Sequence, residues 1–288
     1  MISDITLGQF FPGYSILHKL DPRTKILAAM IAIVSIFVVN NTLGFLFITL
    51  FTVCLIAVSR ISFRVIMKGI KPIVIILIIT AILNIFMTVG NGEPLFSFWI
   101  FTVYTDGIVR ALFMALRVII LIVLSSMLLT YTTSPISLTD GLESLLNPFK
   151  KIGVPVHTFA MMMSIALRFI PTLVEETEKI MNAQKSRGAD FTQGSLITRA
   201  KALIPLIIPL ILSAFNRAEE LAVAMECRCY RGDKNRTKLV KLEMRSRDYM
   251  FLFIIFIFLA VAILSATLPY SFSLQGVLSD VLFYRVSG

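Results

Sequence analysis

Five stretches of the chain, residues 24 to 40, 43 to 58, 72 to 89, 108 to 129 and 250 to 268, contain only Lys25, Arg110 and Arg117 as charged residues. Each is close to the length a helix needs to cross the hydrocarbon core of a bilayer. Lipid offers no partner for backbone amides and carbonyls, so each crossing must satisfy its hydrogen bonds within itself. The expected fold is therefore an all-α integral membrane protein with about five transmembrane helices and long cytoplasmic helices between the fourth and the fifth. Composition agrees: 57% of residues are hydrophobic and 15% charged, against about 25% charged in a soluble domain.

Lys and Arg orient the spans. Residues 1 to 25 hold three, the connection 59 to 71 holds four, and the connection 90 to 107 holds none. The excess of basic residues on cytoplasmic loops puts the N-terminus and residues 59 to 71 inside and 90 to 107 outside. Residues 130 to 249 then lie in the cytoplasm with 17 of the 27 basic residues. The expected division is a four-helix membrane region over 1 to 129, a coupling region over 130 to 249 with two long helices ending near Arg187 and Arg228, and a last span with a short external tail over 250 to 288.

Two further apolar runs, 159 to 174 and 202 to 215, are short for a crossing. Making both transmembrane would put Lys179, Lys185, Arg187, Arg199 and Lys201 outside, against the charge bias. They read instead as apolar parts of long helices at or below the cytoplasmic surface. Pro205 and Pro209 predict a kink in the second, with a break into two helices left open. Asp21 and Pro22 read as the cap and first residue of the first span, and Lys19, Arg23 and Lys25 as headgroup anchors. Arg117 lies about ten residues into the fourth span, where its charge is costly; Asn84 is one candidate partner, with structural pairing and a substrate path both open.

Catalytic chemistry finds no foothold. There is no G-x-x-x-x-G-K-[ST] phosphate loop and no G-x-S-x-G elbow. His18 and His157 stand alone, Cys54 lies in an apolar run, and Cys227 and Cys229 form a C-x-C without the other ligands a structural zinc needs. No metal, cofactor or intrinsic enzyme activity is expected, and the basic charge follows from orientation rather than from nucleic-acid binding.

The most informative pattern is a repeat. Glu178, Ala183 and Arg187 in "AQKSRGADF" and the residues before it match Glu219, Ala224 and Arg228 around "AMECRCYRG", each pair 41 residues apart. A helix C-terminus favours a nearby cation, so one such arginine is an ordinary helix stop. Two at the same offset, each flanked by small residues (Ser186 and Gly188, Cys227 and Cys229), would offer two bidentate donors to acidic sockets on a partner. On spacing alone, docking and capping with anionic-lipid attraction both remain open.

At these residues, and across "FFPGYSILHKLDPRTKIL" and "YTTSPISLTDGLESLLNPFKKIGVPVHTFAMMMSIALRFIPTLVEETEKIMNAQKSRG", the sequence resembles the transmembrane T components of energy-coupling factor (ECF) transporters, the EcfT family. The resemblance implies a non-catalytic permease subunit of an ABC-type importer in a prokaryotic plasma membrane. Its coupling helices would dock two ABC-type ATPases, which hydrolyse ATP, and it would hold a small membrane S component that binds a vitamin or metal ion. The family's paired Ala-Arg-Gly-type motifs fall on Ser186-Arg187-Gly188 and Cys227-Arg228-Cys229, with Ser and Cys replacing the usual small neighbours. Met161, Met162, Met163 and the 202 to 215 run would face S components. The competing reading is a self-contained carrier or channel using Arg117 and Asn84.

Overall fold

The computed structural model describes residues 13–39, 41–88, 96–98, 101–189, 191, 195–232 and 242–267. The chain divides into two compact units, one of residues 10–141 and 242–288, the other of residues 142–241 together with 1–9. Helices dominate both.

The first unit begins with a 3-10 turn, Leu17–Lys19, and then α1, Pro22–Val38. Asp21 caps α1 by accepting the Arg23 amide, with Pro22 at the first position where its missing N–H costs nothing. Next come α2 (Thr42–Ser59), α3 (Phe63–Ile70), a 3-10 turn at Lys71–Ile73 containing Pro72, and α4 (Val74–Met87). α5 (Thr105–Ser125) passes into a π-helical turn over Ser126–Tyr131, and α6 (Pro135–Leu146) follows, its residues from 142 on counted with the second unit. The last helix of this unit, here α9, is Ser246–Thr267. Between α4 and α5 a small hairpin pairs β1 (Phe96–Phe98) with β2 (Phe101–Val103), antiparallel, with Phe96 opposite Val103. It is an addition to the otherwise helical architecture.

α1 and α9 form the core. The polar links Asp21 to Asp248 and Asn41 to Ser265 fix them as parallel neighbours. Their seam sets small residues, Ala28, Ala29, Ala32 and Ser35, against Phe251, Ile255, Phe258 and Ala262, all buried. Small residues let backbones approach where lipid supplies no hydrophobic driving force between helices. Phe258 also stacks on Phe47 and Phe51 of α2, at 5.5 and 4.2 Å between ring centroids.

The second unit contains α7 (Val156–Ser186) and α8 (Leu196–Cys227), of 31 and 32 residues. At 1.5 Å per residue each is roughly 45 Å long. α8 runs unbroken through Pro205 and Pro209, so the two-helix alternative does not arise, and Pro171 lies inside α7.

Among the described residues six helices are long and apolar enough to cross a membrane: Thr42–Ser59, Phe63–Met87, Gly107–Tyr131, Val156–Ser186, Lys201–Cys227 and Ser246–Thr267. Four coincide with expected spans. The run at 24 to 40 becomes the 17-residue α1, a little shorter than a full crossing. The runs at 159 to 174 and 202 to 215 are embedded in α7 and α8, so shortness no longer argues against their crossing; only the charge distribution does.

Candidate functional site

α7 and α8 pair antiparallel. Glu176 of α7 accepts from Ser213 Oγ at 2.6 Å and from Arg217 Nη2 at 3.0 Å, while Tyr230 Oη, just past α8, lies 3.2 Å from Met161 Sδ near the start of α7. Glu176 and Arg217 are themselves 41 residues apart, the interval of the arginine repeat. In sequence that spacing is visible, but only the antiparallel register turns it into an ion pair.

Arg187 and Arg228 end their helices identically. In α7, Arg187 occupies the cap with φ −88° and ψ 5°, and Gly188 follows with φ +89°. The Gly188 amide donates to the Lys185 carbonyl at 2.9 Å and the Ala189 amide to Gln184 at 3.0 Å. In α8, Cys229 follows Arg228 with φ +53°; its amide donates to Glu226 at 2.8 Å, and that of Tyr230 to Met225 at 3.0 Å. These are the paired reverse bonds of a Schellman stop, in which one left-handed residue turns the chain off the helix axis. The repeat in the sequence is thus a repeat in backbone geometry. The cysteine at 229 does the conformational work of the glycine at 188, which the residue types alone do not announce.

All six predicted residues, Ser186, Arg187, Gly188, Cys227, Arg228 and Cys229, are exposed. Among the described residues neither Arg187 nor Arg228 pairs with a carboxylate. The two ends are not together. With residue 176 opposite 213 to 217 and 161 opposite 230, the end of α8 lies near the beginning of α7, and Arg187 near its other end. The guanidiniums therefore sit about 35 Å apart along the pair at 1.5 Å per residue. What this arrangement offers is two exposed helix ends, each with a positive fork, facing away from each other at the two ends of one antiparallel pair.

Of the methionines expected to face a partner, Met161 is engaged with Tyr230, whereas Met162 and Met163 are exposed. α8 presents a continuous apolar face of Ile204, Ile207, Ile208, Ile211, Leu212 and Phe215, all exposed.

The competing site does not assemble. Arg117 donates to the Val39 carbonyl at 2.8 Å and lies over the Phe45 ring, 5.1 Å from its centroid. A guanidinium at the C-terminal end of α1 satisfies a helix carbonyl and faces the negative end of the dipole. Asn84 instead donates to Thr80 O on its own helix at 2.8 Å. Asn84, one candidate partner for Arg117, is not the one it meets: the arginine makes a helix-end contact and the asparagine a local bond.

Other expectations shift too. Lys25 does not reach for headgroups: it is 2% exposed, and its Nζ donates to the carbonyls of Thr132 at 2.8 Å and His18 at 3.4 Å. Each histidine has a nearby hydrogen-bond partner, with His18 Nδ1 2.6 Å from Ser15 Oγ and His157 Nδ1 2.9 Å from Glu143 Oε1. Cys54 is exposed, and no group of three or more His, Cys, Asp or Glu side chains gathers among the described residues.

The chain matches the CbiQ family, described as cobalt transport protein, over residues 13–239. It is similar to the "Energy-coupling factor transporter transmembrane protein EcfT" of Clostridium kluyveri, 54% identical over 265 residues, which cover 92% of this chain and 98% of that one. Proteins of the same name from Thermosediminibacter oceani and Bacillus subtilis are 51% and 48% identical, covering 85% and 86% of this chain and 91% and 93% of theirs.

Proposed function

This chain belongs to the CbiQ family and to the energy-coupling factor transporter transmembrane proteins named EcfT, and from that premise we propose a coupling subunit that docks two ABC-type ATPases through Arg187 and Arg228. It is the energy-coupling transmembrane component of an ECF transporter and a multi-pass protein of the bacterial plasma membrane. The finer reading places the N-terminus and residues 130 to 249 in the cytoplasm. Ser186-Arg187-Gly188 and Cys227-Arg228-Cys229 are the two plugs, and the chain itself carries no cofactor and hydrolyses no ATP.

One observation carries the reading: two exposed helix ends with the same Schellman geometry and the same arginine, at opposite ends of one antiparallel pair. A two-fold ATPase pair presents two like grooves some distance apart, and two like plugs about 35 Å apart suit it. Closure of the ATPases on ATP would draw the grooves together and change how α7 crosses α8. The exposed apolar face from Ile204 to Phe215, with Met162 and Met163, would hold a small S component that binds a vitamin or metal ion and tilts as the pair moves. Methionine suits a surface that accepts several partners.

Purification of the chain from its own membranes in mild detergent tests this, beside an Arg187→Glu, Arg228→Glu double variant and the Lys pair Arg187→Lys, Arg228→Lys. The native chain should bring two ABC-type ATPases and a small membrane protein, whose identity reveals the substrate class. The charge-reversed variant should insert normally and bring no ATPases, and the Lys pair should bring fewer, because lysine cannot make the bidentate fork. ATPases recovered equally with all three chains would remove the docking role from these arginines.

A further inference from the structure

The chain leaves the membrane unit after Gly141 and returns to it at Leu242. Both crossings are fastened to the same place. On the outgoing side, the Lys25 ammonium donates to Thr132 O at 2.8 Å. Gly141 lies so close to α1 that a Cβ there would stand 2.8 Å from Pro22 Cβ and 3.3 Å from the Arg23 nitrogen. On the returning side, Asp248 accepts the Asp21 amide on Oδ1 at 2.7 Å and the Arg245 amide on Oδ2 at 2.8 Å. Arg23 Nη2 reaches Leu242 O in a longer contact of 3.5 Å.

We infer that the first turn of α1, residues 21 to 25, is a rigid post to which both chain crossings are pinned, and that Pro22, Asp21, Lys25 and Asp248 are positioning residues for energy coupling. The inference rests on the proposed coupling role of residues 142 to 241. Its physical basis is burial. Asp21, Lys25 and Asp248 are all buried charges, and a buried carboxylate that accepts two backbone amides, beside a buried ammonium that donates to a carbonyl, can leave its position only by exposing unpaired groups. The π-helical turn Ser126–Tyr131 immediately before Thr132 leaves Thr132 and Thr133 both donating to Leu128 O, which fixes the carbonyl that Lys25 meets. Pulling on either crossing therefore moves α1 and α9 as one body instead of extending a loop.

Two measurements on the whole complex decide it. In the native complex, hydrogen exchange at the Asp21 and Arg245 amides is followed without nucleotide and after trapping with ATP and orthovanadate. A rigid post keeps both amides protected in both states, and loss of protection at either on trapping would overturn the inference. In the second measurement, Gly141→Val and Asp248→Asn loosen the outgoing and returning pins separately, and ATP turnover is read per assembled complex. If the post carries the load, ATPases freed from moving the membrane helices turn over faster, by about twofold to thirtyfold, the range over which coupling residues act. A merely structural role lowers the yield of complex and leaves turnover per complex unchanged, which counts against the post. If a variant does not assemble, the exchange measurement on the native complex stands as the test. Failure of the docking reading looks different: the native chain then purifies without ATPases at all.

Discussion

α1 with α9 and α7 with α8 are both helix pairs, yet they are built on opposite principles. The first pair is parallel, seamed with small residues, and locked at each end by a buried polar bond, Asp21 to Asp248 and Asn41 to Ser265. The second is antiparallel, held by the partly exposed Glu176–Arg217 pair and a tyrosine–methionine contact, and leaves Ile204, Ile207, Ile208, Ile211, Leu212 and Phe215 of α8 uncovered. One is a finished core. The other leaves an apolar face exposed, the face that the proposed coupling role assigns to a partner. A subunit that transmits motion needs both: a body that does not deform and a pair that can change its crossing without breaking its own packing.

The sharpest way to break the contrast is to remove a locked charge. Lys25→Met would leave the Asp21 and Asp248 carboxylates without their neighbouring cation and Thr132 O without its donor. Breaking a buried charge group this way costs about 3 to 5 kcal/mol, enough to abolish accumulation of the folded chain in membranes. By contrast Arg217→Met, which breaks the partly exposed pair of α7 and α8, should cost about 1 kcal/mol or less. Equal losses in thermal unfolding in detergent would mean that the two pairs are not so different.

Two phenylalanines sharpen it further. Phe258 in α9 is 1% exposed, and Phe215 in α8 is 70% exposed. Phe258→Ala leaves a cavity between α9 and α2 and should cost about 3 kcal/mol, at the low end for such a change because lipid already solvates apolar groups in the unfolded reference. Phe215→Ala should shift stability by less than about 0.5 kcal/mol and act instead on recovery of the small membrane partner. If Phe215→Ala destabilises the isolated chain as Phe258→Ala does, the α8 face is core and not interface.

The two pairs also differ in how far the sequence foretells them. Apolar length located the helices, because a run that must satisfy its own backbone in lipid has few alternatives, and Asp21-Pro22 marked the start of α1 through local capping chemistry. The arginine repeat was legible for the same local reason. What stayed hidden is long-range. Asp248 looks like an ordinary first-turn acid until α1 is laid beside α9, and Arg117 seeks a polar side chain only until the open carbonyl of Val39 is seen next to it. Nor does hydropathy say whether a run such as 202 to 215 ends at fourteen residues or continues as the middle of a 32-residue helix, since the amphipathic turns that extend it dilute the average.

The smallest expected effect tests the likeness of the two plugs. Gly188 and Cys229 hold the same left-handed position, with φ +89° and +53°. Glycine adopts that conformation freely, whereas a residue with a Cβ gives up about 1 kcal/mol to do so. Among the described residues nothing lies within 4 Å of the position a Cβ would take on Gly188, so Gly188→Ala should destabilise the end of α7 by about 1 kcal/mol through backbone conformation alone. Cys229→Gly should stabilise the end of α8 by a similar amount. The readout is hydrogen exchange at Ala189 and Tyr230, whose amides close the two stops: protection should fall at the first and rise at the second. A rise at both, or a fall at both, would mean that the ends share a sequence spacing without sharing a mechanism. Opposite signs would show that the cysteine is a strained stand-in for glycine at the same backbone position.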